Sequence, residues 1–333
     1  MKHLSPRRSA SLLFAAALLL SLLSLMTGYV DLSPWRLFSG TLAGEQIPQR
    51  ILLDIRLPRT LLCLAVGAAL GLAGAAMQGL LRNPLAEPGL LGISSGAALG
   101  AVLALYTGFA DRFYLALPLA GGVGTAAAVG FVFALAGRHT ASTTLILAGV
   151  AVSSLCGALI SLVLNWSPNP SALSEIVFWM MGSLADRSSD DVVIALPFIV
   201  VGSALLLSCG RGLRALSLGE ETAQSLGIDL RRLRRQVLLG SAAAVGAAVS
   251  VSGAIGFIGL VAPHLMRPLA GGDPGRLLPL AALAGAILLT LADLGVRLLH
   301  SGGPELKLGV LTALVGAPFF LYLIVRTRKE MLP

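Results

Sequence analysis

Charge is scarce in this sequence. Asp, Glu, Lys and Arg together make up 12% of its 333 residues, where a soluble chain carries about a quarter. The 56% of apolar residues fall instead into blocks of membrane length, since a span needs roughly 20 of them to cross the hydrocarbon core. An ordinary water-soluble domain is excluded. Lysine is scarcer still: Lys2, Lys307 and Lys329 are the only ones, and none precedes Ser or Thr. A Walker loop needs Gly-Lys-Ser/Thr so that the lysine reaches the phosphates, so the chain does not bind ATP that way. The histidines His3, His139, His264 and His300 are scattered at loop or span ends, and no His-Glu-x-x-His stretch occurs. A metal centre and an enzyme activity are therefore not expected. Cys63, Cys156 and Cys209 each sit inside an apolar run and read as small packing residues rather than disulfide partners.

Ionisable residues within the apolar blocks are few as well. Asp293 is the clearest, and Arg297 lies four residues on, so the two share a helix face and can pair. An ion-coupled carrier more often shows several buried carboxylates or broken helices lined up with ion sites.

The apolar blocks themselves predict an all-α, polytopic membrane protein of about ten transmembrane helices, taken as one transmembrane domain over 1–333. The expected spans are 11–30, 60–81, 89–107, 114–136, 142–164, 191–209, 235–252, 257–270, 277–299 and 307–325. The first follows Lys2, Arg7 and Arg8 like a signal peptide, but no small-residue cleavage site follows it, so an uncleaved span is expected. The eighth is short and interrupted by Pro263 and Pro268. Gly67, Gly71 and Gly74, and again Gly92, Gly96 and Gly100, line helix faces where small residues let backbones approach closely in lipid.

Net charge is +8, without the aromatic-and-basic pattern of a nucleic-acid module. With the N-terminus inside, sixteen Lys and Arg fall on the inner side and eight on the outer, which supports cytoplasmic N- and C-termini. The outer residues Arg56, Arg59 and Arg297 then need an explanation. Pairing of Arg56 with Asp54 and of Arg297 with Asp293 is one.

Three stretches are unusual for membrane filler. Gln78–Gly92 is a turn whose prolines, Pro84 and Pro88, fix the backbone. Gly219-Glu220-Glu221-Thr222-Ala223-Gln224-Ser225-Leu226-Gly227 is a short amphipathic helix between glycine breaks, inside the most basic loop. Gly253–His264 is a glycine-rich stretch followed by Arg267. With Arg56-Leu57-Pro58-Arg59, Phe178-Trp179-Met180-Met181-Gly182-Ser183-Leu184, Ala292-Asp293 and Gly316-Ala317-Pro318, the order resembles the permease family of ATP-driven (ABC) type II importers for iron chelates, haem and cobalamin. The resemblance runs from about Arg56 to the C-terminus. The usual Gly-x-Asp-His-Arg of that family appears here as Gly272-Asp273-Pro274-Gly275-Arg276.

The resemblance implies a homodimer in the bacterial inner membrane, two ABC ATPase subunits docked from the cytoplasm and a periplasmic substrate-binding protein outside. No cofactor is expected on this chain; ATP and Mg belong to the ATPase. It further implies a cytoplasmic gate of Asn83, Leu85, Ser142 and Thr143. ATPase coupling is expected through Gly219, Glu220, Glu221, Ala223, Leu226 and Gly227, and docking of the binding protein on Arg56, Arg59 and Arg297. The expected cargo is an iron compound, haem or a ferric siderophore before cobalamin. A stand-alone ion-coupled carrier and a non-transport membrane subunit are the competing readings.

Overall fold

The structure is a computed structural model that describes residues 6–28, 30, 33–137, 142–167, 170–299 and 305–330. Within them the regular elements are helical. The chain runs through α1 (Pro6–Met26), α2 (Pro34–Leu42), α3 (Gln46–Arg50), a π-helical turn (Ile51–Arg56), α4 (Leu57–Leu81), a 3-10 turn (Pro88–Leu91), α5 (Ile93–Tyr106) and α6 (Ala116–Ala136). It continues through α7 (Ser142–Asn165), α8 (Pro170–Met180), α9 (Ser189–Ser208), α10 (Gly210–Leu216), α11 (Glu220–Ser225), α12 (Leu230–Ser252), α13 (Ile258–Ala270), α14 (Pro274–Leu298) and α15 (Leu308–Glu330).

Each of the ten expected spans coincides with one of these helices, within a few residues at most ends. Among the described residues, seven segments are long and apolar enough to cross a membrane, and α5 and the first part of α15 are shorter apolar helices. The remaining one, α13, has 13 residues, or about 20 Å of helix, too short for a core of roughly 30 Å. The chain approaches it through a non-helical stretch, with Gly253 and Phe257 both at positive φ. Such backbone is tolerated at membrane depth where protein surrounds it, and Gly253 and Ile255 are buried.

The middle of the bundle is built on backbone contact. A methyl group on Gly67 would overlap the carbonyl oxygen of Gly285, and one on Gly71 that of Ala281, so α4 and α14 cross with no side chain between them. The glycine faces read from the sequence are thus spent inside the subunit; Gly96 and Gly100 likewise meet α6 at Gly124 and Ala120. The most apolar window of the segment ending in α4 is 78% buried, against 17% for α1. Central helices α4, α12 and α14 are therefore flanked by α1, α6 and α9, with α7 packed on α5 and α6, and the outward leucines and valines of these outer helices are exposed on the outside of the subunit.

Candidate functional site

Because α4 and α14 run antiparallel, Arg59 near the start of α4 meets Asp293 near the end of α14. Arg59 Nε donates to Asp293 Oδ1 at 2.9 Å. Arg59 also pairs with Glu305, and Arg297 pairs with the other oxygen of Asp293. Asp293 is completely buried. Arg297 extends further, donating to the backbone oxygens of Ser24 and Thr27 at 2.9 and 3.0 Å. Arg56 donates to the carbonyls of Leu25 and Met26 at 3.0 and 2.9 Å, and to that of Val30 at 3.1 Å. The last carbonyls of a helix have no partner within it. Two arginines thus cap the end of α1 and join it to the central pair.

The expected pair of Arg297 with Asp293 is present, whereas Arg56 turns to α1 and not to Asp54. Residues two apart on a helical turn do not face one another, and the open carbonyls of α1 lie closer to hand. All three arginines are more than nine-tenths buried. Their donors point into the subunit, which accounts for basic side chains at an end where the charge distribution alone gives no reason for them.

At the other end of the pair, Asn83 begins the turn after α4. Its side-chain oxygen accepts from the Leu85 N–H at 2.9 Å, an Asx turn that holds the chain for Pro84. Leu85 is 39% exposed. The following 3-10 turn lies against α7, where Ser153 Oγ donates to the Gly89 carbonyl at 3.1 Å. Ser142 and Thr143 open α7, after residues 138–141, which lie outside the described set. Asn83 lines a cleft of about 280 Å³ with Gln78, Arg82, Arg267 and Asp273, while Leu145 near the start of α7 lines another with Arg231, Arg234 and Arg235. Of the four expected gate residues, Asn83 is the one that lines the first of these clefts. Glu87 in the turn has a carboxyl that burial pushes above the ordinary carboxylate range.

The helix expected between glycines is α11. Gly219 at its start has φ 116°, and Gly227 after it has φ 80°, conformations open to glycine at little cost. Ala223 is fully buried, and Glu220 bridges to Arg234 of α12 at 2.7 Å. Leu226 is 61% exposed. An anchored helix with one apolar side chain facing out is suited to meet another protein. Beside it, α10 is tied to the start of α14 by Arg214–Asp273 at 2.8 Å. Burial works against charge on Asp273, but Arg214 and the N–H groups of Gly275 and Arg276 outweigh it and hold its carboxyl below the usual range. In this chain Gly272–Arg276 is thus an N-cap with Pro274 in the first turn.

A family model described as the FecCD transport family matches residues 16–326. The chain belongs to that family. It is 42% identical over 332 residues to the hemin transport system permease protein HmuU of Yersinia pestis, with 98% of each chain covered. It is 43% identical over 279 residues to the cobalamin import system permease protein BtuC of Halobacterium salinarum, covering 83% of this chain and 73% of that one. A solved inward-facing structure of a transporter assigned to the metal-chelate ABC type superposes with a TM-score of 0.86 at 34% identity, over 96% of this chain and 99% of that one. The chain is an ABC importer permease of the iron-chelate, haem and cobalamin family, and its apolar helices place it in a membrane.

The motifs that mark this FecCD chain meet in space. Gly182 and Gly253 pack backbone to backbone, and Gly309 of α15 closes on the carbonyls of Met181 and Ala254. Phe257 packs on Gly316 of α15, and His264 stacks edge-on with Phe319 at 5.8 Å. Sequence reasoning missed Glu305, which completes the charged cluster from a loop, and the bond of Arg267 to Gln78 at 2.9 Å. Neither carries a periodic signal.

Proposed function

We propose that this chain is the membrane-spanning permease subunit of an ATP-driven importer, working as a homodimer with two separate ATPase subunits and a periplasmic binding protein. Hydrolysis then belongs to the ATPases, and the chain itself catalyses nothing. The observation that carries this reading is α11: a short helix fixed by Ala223 and Glu220, with Leu226 exposed, on a chain with no Walker lysine. Closure of the ATPases would turn this helix and bias the spans between two arrangements. The subunit lies in the inner membrane with both termini cytoplasmic, as the distribution of Lys and Arg supports.

In the dimer, Asn83, Leu85, Ser142 and Thr143 form the cytoplasmic gate, assembled across the two-fold axis. Cysteines at 83 or 85 should then cross-link between subunits and block transport, and Leu85→Gly should leak ligand without ATP. At the opposite end Arg56, Arg59 and Arg297 receive acidic side chains of the binding protein. Their burial makes this an exchange, with an incoming carboxylate replacing Glu305 on Arg59. Affinity that is unchanged at low and high salt in Arg59→Glu, with normal basal hydrolysis, would sink the docking role.

The cargo we propose is an iron compound, haem or a ferric siderophore, with cobalamin behind them; the 42% identity to the hemin permease, against 39% to vitamin B12 permeases covered to nearly the same extent, supports it. The test is ATP hydrolysis by the reconstituted complex in proteoliposomes, with haem-, siderophore- and cobalamin-loaded binding proteins in parallel. Stimulation by an iron compound is expected. Transport by the permease alone, driven by an ion gradient, would overturn the importer reading.

A further inference from the structure

Between α6, α9 and α12 runs an apolar groove of about 580 Å³ that opens to the outside of the subunit. Leu119, Val123 and Phe198 border it, each more than half exposed. On α6 it extends from Pro118 to Phe133, about 22 Å of helix, longer than one leaflet's half of a roughly 30 Å core. Gly122 and Gly130 line it, and a Cβ on either would meet no atom within 4 Å. At its end, Phe133 is shared with a second cleft of about 250 Å³ lined by Arg231, Arg234, Arg235 and Leu238. The apolar groove and the basic cleft therefore adjoin at Phe133, and their α12 walls follow one another at Leu238 and Leu239.

Charge in that cleft is only partly balanced from within: three arginines face Glu220 and the nearby Asp229 carboxylate. Arg234 is held by Glu220 at 2.7 Å. The Asp229 carboxylate accepts from the backbone N–H groups of Arg231 and Arg232 at 2.9 and 3.1 Å. Among the described residues, the exposed side chains of Arg231 and Arg235 form no hydrogen bond or salt bridge. Two guanidinium groups thus stand at the mouth of an apolar groove whose walls are membrane spans.

We propose that this surface binds one anionic phospholipid, its phosphate on Arg231 and Arg235 and an acyl chain in the groove. A guanidinium fork suits phosphate oxygens, and basic pockets between spans on the cytoplasmic side suit anionic headgroups. A zwitterionic lipid could fill the groove, but its own cation would face the arginines. The leaflet follows from the proposed orientation; the site does not depend on the importer reading, because binding is measured on the permease alone.

The experiment is native mass spectrometry of the full-length permease in detergent, titrated with phosphatidylglycerol and phosphatidylcholine of matched chains. Phosphatidylglycerol should bind more tightly. Arg231→Gln/Arg235→Gln should weaken it by about twenty-five-fold, taking about fivefold for each arginine near a lipid surface, and leave phosphatidylcholine unchanged. Gly122→Leu/Gly130→Leu should weaken both lipids, since the added side chains enter the groove; circular dichroism and monodisperse elution check the fold of each variant. Equal binding of the two lipids by the wild type overturns the proposal, as does unaltered phosphatidylglycerol binding in the arginine variant. Loss of ATPase association with lipid binding intact would assign the arginines to a protein surface and overturn it too.

Discussion

At one end of the crossed pair α4 and α14, Arg59, Asp293, Arg297 and Glu305 are packed together, and their charges cancel. At the other end, Arg211, Arg214, Arg231, Arg232 and Arg235 are exposed, with few carboxylates to meet them. The same residue type serves opposite purposes. Where water is shut out, an arginine is retained only if its charge is met, and here two acids and the carbonyls of α1 meet it, although Arg297 Nε is left without a partner. Where water reaches, positive charge stays available to lipid headgroups or a partner, and contributes little to folding.

Breaking the buried end should have the largest effect. Asp293→Ala leaves Arg59 without its central partner and Arg297 with only backbone and hydroxyl acceptors, and removing one member of such a cluster costs about 3–5 kcal/mol. The expected outcome is a steep loss of folded protein, read as yield and melting temperature in detergent; a melting temperature near wild type would mean that this end is not held by charge. Leu226→Asp, at the exposed end, should leave melting unchanged yet lose the ATPase or uncouple its hydrolysis from transport. Normal coupled transport in that variant would remove α11 from the coupling path.

Smaller effects sharpen the same contrast. Arg214→Ala deletes a half-exposed bridge, worth at most about 1 kcal/mol, while Asp273→Ala also removes the cap of α14, worth about 1 kcal/mol more. Melting of the two variants should differ in that order. The smallest change is expected for Glu87→Gln. Burial raises the carboxyl of Glu87, so its charged form opposes folding, and this cost appears as pH rises above the unfolded value of about 4.3. Glu87→Gln should therefore melt slightly higher than wild type at pH 7 and converge with it toward pH 4. A gap that widens on acidification would reverse the assignment.

Most of the spans were legible because their signal is local: an apolar run of sufficient length says where a helix lies without reference to its neighbours. The glycine bounds of α11 were legible for the same reason. The partners of the buried arginines were not. Arg59 reaches across 234 residues to Asp293, and a helix-end carbonyl that accepts from Arg56 or Arg297 leaves no mark in the side-chain sequence. Helices α2, α3 and α10 are too short to show a period, and α8 carries a motif that was visible although its helix was not. Phe178–Leu184 is read correctly only once Gly182 is seen against Gly253 and Gly309.

Side chains between two helices act as a cushion: they change rotamers and let one helix slide past another. At Gly67, Gly71, Ala281 and Gly285 that cushion is missing. The crossing of α4 and α14 therefore travels as a single rigid body, and shear between them is closed off as a source of movement. Flexing of the subunit is left to the joints at its margins, among them the uncoiled link from Gly253 to Phe257, which leads to the contact of Gly259 with Gly74.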